Sequence, residues 1–542
     1  MVHNKNKLAV AVLLAAGLAS TSVLAAEVPA GTQLAEVQKV VKGNGAEPAT
    51  LDPHKIEGHP ESNIARDLFE GLVIQNGQGD ILPGVAEKWE VNGDNTVFTF
   101  HLRKDAKWSN GDTVTAGDFV FGWQRAVDPA TASPYAWYVE YTSMANASDI
   151  IAGKKPASEL GVKAIDDHTL EVTLSKPVPY FIRMLAHTTM VPAHKATIEA
   201  HGDKWTSPEN FVGNGAFKLK DWVVNERIVL ERNTNYWDNA KTVINEVTYL
   251  PIESQNSELA RYKAGEVDLT NEIAIEHFKT LQKEIPNEVK VTGQIGTYYY
   301  QFNTQKAPFD DIRVRKALSL SIDRDIIVDK VMGQGQIAAY NFTPDITAGF
   351  TPETPQWAGM TQEQRNEMAK KLLEEAGFGP GKPLSFELLY NTSENHKKVA
   401  LAISSMWKKN LGVNVDLVNQ EWKTYLETKK NGQFSVARAG WIGDYNEAST
   451  MLDLLTSAHG NNDGKYSNAE YDKLLSDSKA IVDENERASY YNKAEKILAR
   501  DMPVAPIYQY VTARLVKPYV GGYPTANPED MVYSKDLYII AH

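Results

Sequence analysis

The sequence predicts a mixed α/β protein of two or three domains. Its 542 residues exceed what one ordinary hydrophobic core accommodates. Strict alternation, as in Val97, Thr99 and His101 against Phe98, Phe100 and Leu102, marks half-buried strands. Between such strands lie segments with helical spacing of apolar residues, as in Phe119, Trp123 and Val127. Strands and helices interleaved along one chain indicate an α/β or α+β core. An apolar share of 42% and a charged share of 23% are those of a globular chain, and the formal charge of -13 argues against nucleic acid as a partner, which needs a basic face.

Taken in order, Lys5 and Lys7 precede an apolar run over 8–18 and the small-residue site Val23-Leu24-Ala25, which reads as a secretory signal, 1–25, cleaved after Ala25. The absence of cysteine excludes disulfides, thiolate metal sites and a lipid-modified N-terminal Cys. Residues 51–61, with two prolines, read as a loop leading through Ser62 into an amphipathic helix bearing Ile64, Leu68 and Leu72; Glu57 and His59 then sit on the loop before it. Leu170, Val172 and Leu174 repeat the strand alternation, and Tyr135, Trp137 and Tyr138 follow a Pro-containing turn, where aromatics are most often core. Residues 261–268 read as a helix ending at Gly265 and entering a strand.

Residues 297–303 form a strand rich in tyrosine, either buried between layers or presenting phenols to a cleft. Asp310 and Asp311 precede a helix with Val314, Ala317, Leu318 and Ile322 inward, placing Arg313, Arg315 and Lys316 on a solvated face. A helix over 362–376 ends at Gly377, a strand follows over 384–390, and His396 begins another helix. Val413, Val415 and Leu417 alternate toward Trp422; helices over 471–482 and 485–500 are scaffold, and a final strand over 505–515 carries Tyr508 and Tyr510 on one face.

The stretch 437–447, Ala-Arg-Ala-Gly-Trp-Ile-Gly-Asp-Tyr-Asn-Glu, is the most informative. It sets a guanidinium, an indole and a carboxylate within seven residues, separated by small residues. Fully extended, Arg438 and Asp444 would stand roughly 20 Å apart, and a turn at Gly443 would bring them to the span of a short peptide. Either this is a strand end with a surface ion pair, or it holds both ends of a small zwitterion. Catalytic signatures do not compete: there is no thiol, no Gly-x-Ser-x-Gly elbow and no His-Glu-x-x-His helix. The glycine-rich run 377–383 has Ala376 where a phosphate loop needs glycine and Pro383 where it needs Ser or Thr. No enzyme activity, cofactor or metal is expected.

This stretch, together with SNIARDLFEGL at 62–72, AEKWEVNGDNTVFTFHLRKDAKWSNG at 86–111, FDDIRVRKALSLSIDRDIIVDK at 309–330 and NQEWK at 419–423, resembles the periplasmic oligopeptide-binding proteins that feed ABC importers, in solute-binding protein family 5. The resemblance implies a type II periplasmic-binding-protein-like fold with two lobes, a hinge and an additional inserted domain. One lobe would comprise 26–69, 195–295 and 512–542, the inserted domain 70–194, and the opposing lobe 296–511. It implies capture of short peptides with little side-chain selectivity, delivery to membrane permease and ATPase subunits, and a monomeric periplasmic protein; a murein-peptide binder for cell-wall recycling is the alternative. Asp444 would hold the peptide ammonium, and Arg438 and His396 the carboxylate. Glu57, Gly58, His59, Tyr135, Tyr299, Gln301, Asn391, Trp422, Lys429, Ala439, Gly440, Trp441 and Tyr510 would supply main-chain pairing and side-chain pockets. Because a neutral imidazole is a poor carboxylate partner, His396 is expected to act when protonated. The chain departs from relatives at Met332, where some have lysine, at Lys429, where they have arginine, and at His59, where they have a small apolar residue; Gly296 and Ile442 stand where some form a disulfide.

Overall fold

Residues 28–542 are described by the computed structural model; the signal segment read at 1–25 lies outside the described residues. Lys39–Gly43 pairs in parallel with Glu246–Leu250, which continues antiparallel through Arg227–Arg232 to Phe217–Val223. The chain leaves this four-stranded sheet after its first strand and returns only at Phe217. The intervening residues build a second, antiparallel sheet in the order Ala86–Val91, Val97–Leu102, Thr169–Thr173, Val162–Asp166. Alternation is realised here residue by residue: Phe98, Phe100 and Leu102 are buried and pack with Leu170, Val172, Phe119 and Trp123.

A six-stranded sheet follows, ordered Ile337–Ala338, Val504–Leu515, Val289–Phe302, Val436–Ile442, Ser385–Asn391, Asn414–Gln420. Its two longest strands, Val289–Phe302 and Val504–Leu515, run antiparallel and extend beyond the sheet. Their far ends approach the first sheet, where Leu269 bridges to both Lys42 and Val516. Ladder pairing between them breaks off at Gly293 and resumes at Thr297, so this two-stranded connection is least regular midway between the sheets.

The tyrosine-rich strand takes both of its expected forms at once. Tyr298 and Tyr300 sit in the core of the six-stranded sheet, while Tyr299 points the other way against Phe342, with ring centroids 5.1 Å apart. Other expectations need correction. The first amphipathic helix is His59–Leu68, with Pro60 in its first turn where a missing N–H costs nothing, so His59 is helical and Leu72 lies beyond the end. After Gly265 the chain makes the isolated bridges at Leu269, not a strand. The helix read at 471–482 is Ala469–Ser478, and Ser478 Oγ donates back to the Leu475 carbonyl. Arg315 is not solvated. Its guanidinium is buried and donates to the carbonyls of Asp501 at 2.7 Å, Met502 at 3.1 Å and Phe309 at 2.7 Å. Two of these close the helix Glu484–Asp501, whose last carbonyls have no partner within the helix.

Candidate functional site

Between the sheets lies a cleft of about 310 Å³, at the lower end of the roughly 300–1,000 Å³ typical of ligand pockets. One wall is the strand Val436–Ile442. On one side it pairs along its whole length with Val289–Phe302, placing Gly296 opposite Ile442. On the other it meets Ser385–Asn391 only at Val436 and Ala437. From Arg438 onward, among the described residues, that second edge has no strand neighbour, and Gly440 and Trp441 line the cleft. An open edge of main chain facing a cavity is suited to an extended ligand. Gly440 is required where it is, since a Cβ there would stand 2.3 Å from the Tyr510 hydroxyl. Ala439 is buried, pairs with Tyr299 on the neighbouring strand and is not brought to the cleft lining.

The strand aims Arg438 into the cavity. Its guanidinium donates to Asn391 Oδ1 at 3.1 Å and to the Tyr510 hydroxyl at 2.5 Å, and lies 4.8 Å over the Tyr298 ring. Its Nε–H is buried with no acceptor, and no carboxylate stands at ion-pair distance among the described residues. A buried cation held only by neutral groups is poised for an anion. His396 lies in the first turn of the helix Glu394–Leu411, 5.6 Å from the Tyr298 ring, with its Nδ1 also buried and unpartnered. Burial, and then the Arg438 charge, hold its pKa well below the ordinary histidine value. Without ligand this favours the neutral ring, which can offer one N–H while Arg438 supplies the charge.

At the other end of the strand, Gly443 turns the chain, its N–H bonded to the Ile295 carbonyl at 2.7 Å. Thr450 secures the turn by accepting from Asp444 N at 2.8 Å on Oγ1 and from Trp441 Nε1 at 2.7 Å on its carbonyl. The Asp444 carboxylate reaches the cavity, with Tyr135 OH 3.5 Å and His187 Nε2 3.3 Å from Oδ1.

Across the cleft, Glu57 and Gly58 lead into the helix His59–Leu68. Gly58 lies so close to Trp422 that a Cβ would meet its Cζ2 at 2.6 Å. His59 lines the cavity at the helix start, and burial, then Arg66, lower its pKa to about 4, so it too is uncharged. Lys429, on the helix Trp422–Lys430, is ion-paired with Asp463 at 3.2 Å. Met332 presents an apolar surface to the cavity. Gln301 is not brought to the lining: it is buried on the same strand face as Tyr299 but further along, with its side chain against Gly464. His187, Asp463, Glu272 and the pair Arg514–Asp530, 2.6 Å apart, also line the cleft and were not read from sequence. Each is a single residue in an ordinary local context, without a motif. Among the described residues no cluster of three or more potential ligands is arranged for a metal, and no helix is long and apolar enough to cross a membrane.

Glu258 lines the cleft floor and accepts from Asn271 N at 2.8 Å. Burial raises its pKa from 4.5 to about 8. The unfolded chain releases this proton first, so the folded state binds more protons between those values, and stability falls as pH rises through that window. Glu258→Gln keeps the acceptor and cannot ionise. Its melting temperature should therefore gain on the parent protein from about pH 5 to about pH 8 and then level off. Parallel curves in thermal denaturation across that range would contradict the assignment.

Residues 80–463 match the family model for bacterial extracellular solute-binding proteins, family 5 Middle. The chain is 58% identical over 539 residues to the periplasmic oligopeptide-binding protein OppA of Salmonella typhimurium, covering 99% of each. The Haemophilus influenzae OppA structure in complex with RPPGFSPFR superposes with a TM-score of 0.92 at 51% identity, covering 94% of this chain and all of that one. The unliganded open form of the murein tripeptide-binding protein MppA, 52% identical and covering 95% and 99%, superposes with a TM-score of only 0.68. The arrangement described here is thus far nearer the peptide complex than the open form. The chain belongs to the bacterial extracellular solute-binding proteins of family 5.

Proposed function

We propose that this protein captures short oligopeptides with little side-chain selectivity by lobe closure and hands them to the permease and ATPase subunits of an ABC importer. The observation that supports this most is the cleft itself: an unpaired guanidinium at one end of a strand, a carboxylate at the other, and an open main-chain edge between them. Asp444 binds the peptide ammonium, and Arg438 with His396 the carboxylate. One added peptide residue moves a terminus by about 3.4 Å, so donors at different depths accommodate different lengths. Glu57, Gly58 and the backbone over 439–441 pair with peptide amides, which ignores side-chain identity. Tyr135, Tyr299, Trp422, Lys429 and Trp441 bound the side-chain pockets.

In this reading 26–69, 195–295 and 512–542 form one lobe, 70–194 the inserted domain and 296–511 the opposing lobe. The hinge falls at the interrupted pairing between Gly293 and Thr297. The mature protein is a periplasmic monomer without a lipid anchor or catalytic activity. A murein-peptide ligand is the second reading, prompted by the similarity to MppA. It is less favoured because Lys429, the cation for an additional carboxylate, is already paired with Asp463.

The test is to load ligand-stripped protein with a mixed pool of two- to five-residue peptides that includes murein tripeptide, and to identify what it retains by native mass spectrometry. Retention of many ordinary peptides, intact, is the expected result. Exclusive retention of the murein peptide, or release of cleavage products, would overturn it.

A further inference from the structure

His187 lies outside every motif in the sequence, yet it makes the shortest contact to the Asp444 carboxylate, Nε2 to Oδ1 at 3.3 Å. Its other ring nitrogen is committed. His187 caps the short helical turn Thr188–Met190, and Nδ1 accepts the Thr189 N–H at 3.2 Å. An acceptor at Nδ1 requires the proton of the neutral ring to be on Nε2, so Nε2–H faces Asp444 Oδ1. The plane of the ring is set as well: it stacks on Tyr135 at 5.2 Å with a 10° interplanar angle, and lies 4.5 Å from the Tyr138 ring. Both polar contacts to the carboxylate, from His187 and from the Tyr135 hydroxyl, fall on Oδ1. Among the described residues no hydrogen bond reaches Oδ2, and Asp444 lines the cavity.

We infer that His187 is a positioning residue: its tautomer-locked Nε2–H fixes the Asp444 carboxylate so that Oδ2 is presented to the ligand ammonium. The contact also has a topological consequence. His187 and Tyr135 come from the segment that carries the second, antiparallel sheet, whereas Asp444 follows a strand of the six-stranded sheet. The carboxylate is held only when those two parts are brought together, so the ammonium site is completed by closure and an open cleft leaves it unoriented. A first contact that improves as the cleft shuts is how ligand binding shifts a two-state equilibrium toward the closed form.

This inference rests on Asp444 being the ammonium anchor, and its test separates the two. Calorimetric affinities for one free tripeptide are compared among the parent protein, His187→Gln, His187→Asn, Asp444→Asn and the double variant His187→Asn/Asp444→Asn. Gln carries an N–H near the position of Nε2 and loses the Nδ1 acceptor; Asn keeps an acceptor for Thr189 N and loses the reach to Asp444. A positioning role therefore predicts that Asn weakens binding about tenfold, the scale of one charge-assisted hydrogen bond, while Gln stays within about threefold of the parent. It also predicts that His187→Asn adds no further loss when Asp444 is already Asn, because both changes act through one carboxylate. Asn equal to the parent, Gln as weak as Asn, or the same additional loss in both backgrounds would overturn the inference. An Asp444→Asn variant that binds like the parent would instead remove the ammonium anchor, and with it the role of His187. Thermal melts of each variant check that the fold is kept.

Discussion

Asp444→Ala should cost about 150- to 5,000-fold in affinity for free peptides, because removing one partner of a buried ion pair leaves the other charge uncompensated, at about 3–5 kcal/mol. The geometry behind this is specific. The carboxylate is nearly fully buried, stands at the end of the open strand edge, and is contacted through Oδ1 alone by His187 and Tyr135. No lysine or arginine lies at ion-pair distance from it among the described residues, which leaves the charge to be met by the ligand. Isothermal titration of the variant with a free tripeptide checks the prediction. Affinity within a few-fold of the parent protein would mean that the ammonium is held elsewhere.

The second large effect is expected at Gly58. Its backbone, at φ -129° and ψ 168°, is extended and open to any residue, so Gly58→Ala should fold normally. In the closed arrangement, however, the added Cβ would stand 2.6 Å from Trp422 Cζ2 and 2.7 Å from Glu61 Oε2. An indole packed on Tyr425 at 5.9 Å cannot flex away as a lysine tip would. Glu61 is likewise tied down through Oε1, which accepts from Ala49 N at 2.7 Å. Gly58 and Trp422 approach from opposite sides of the cleft, so that clash falls on the closed state, whereas the contact with Glu61, on the helix that Gly58 caps, is present in both states. Overpacking of this kind costs about 1–3 kcal/mol; the part due to Trp422 appears as a loss of up to about 150-fold in affinity, and the part due to Glu61 as a lower melting temperature of the ligand-free protein. Small-angle scattering of the peptide-saturated variant should show a larger radius of gyration than the saturated parent. A normal radius and normal affinity would rule out close approach of Gly58 to Trp422 in the bound state.

The parts of this molecule that were legible in its sequence are those whose physics is local. The alternation in Val97–Leu102 follows from a two-residue period against one buried face, and it is visible without knowing what lies opposite. Arg438 and Asp444 were readable as a pair because they sit on one strand and the turn that follows it. Partners that meet only through the fold were not. Tyr135 and Asp444 are separated by 309 positions, and His187 and Asp463 carry no local pattern pointing to the residues they touch. Arg315 failed for the same reason, since a basic helix residue reads as solvated unless the carbonyl ends of a remote helix are known to converge on it. His396 shows a further limit: its position beside a ligand group is suggested by resemblance, whereas its charge state is set by burial and by Arg438, neither of which is a property of its neighbours in sequence.

The claim that this cleft holds a peptide by both of its charged ends is tested most directly by titrating ligand-stripped protein with a free Lys-containing tripeptide and with the same peptide N-acetylated. The account predicts tight binding of the free peptide and loss of most of that affinity on acetylation, since the acetyl group removes the charge that Asp444 is placed to meet. Equal binding of the two peptides, or binding of neither, would contradict it.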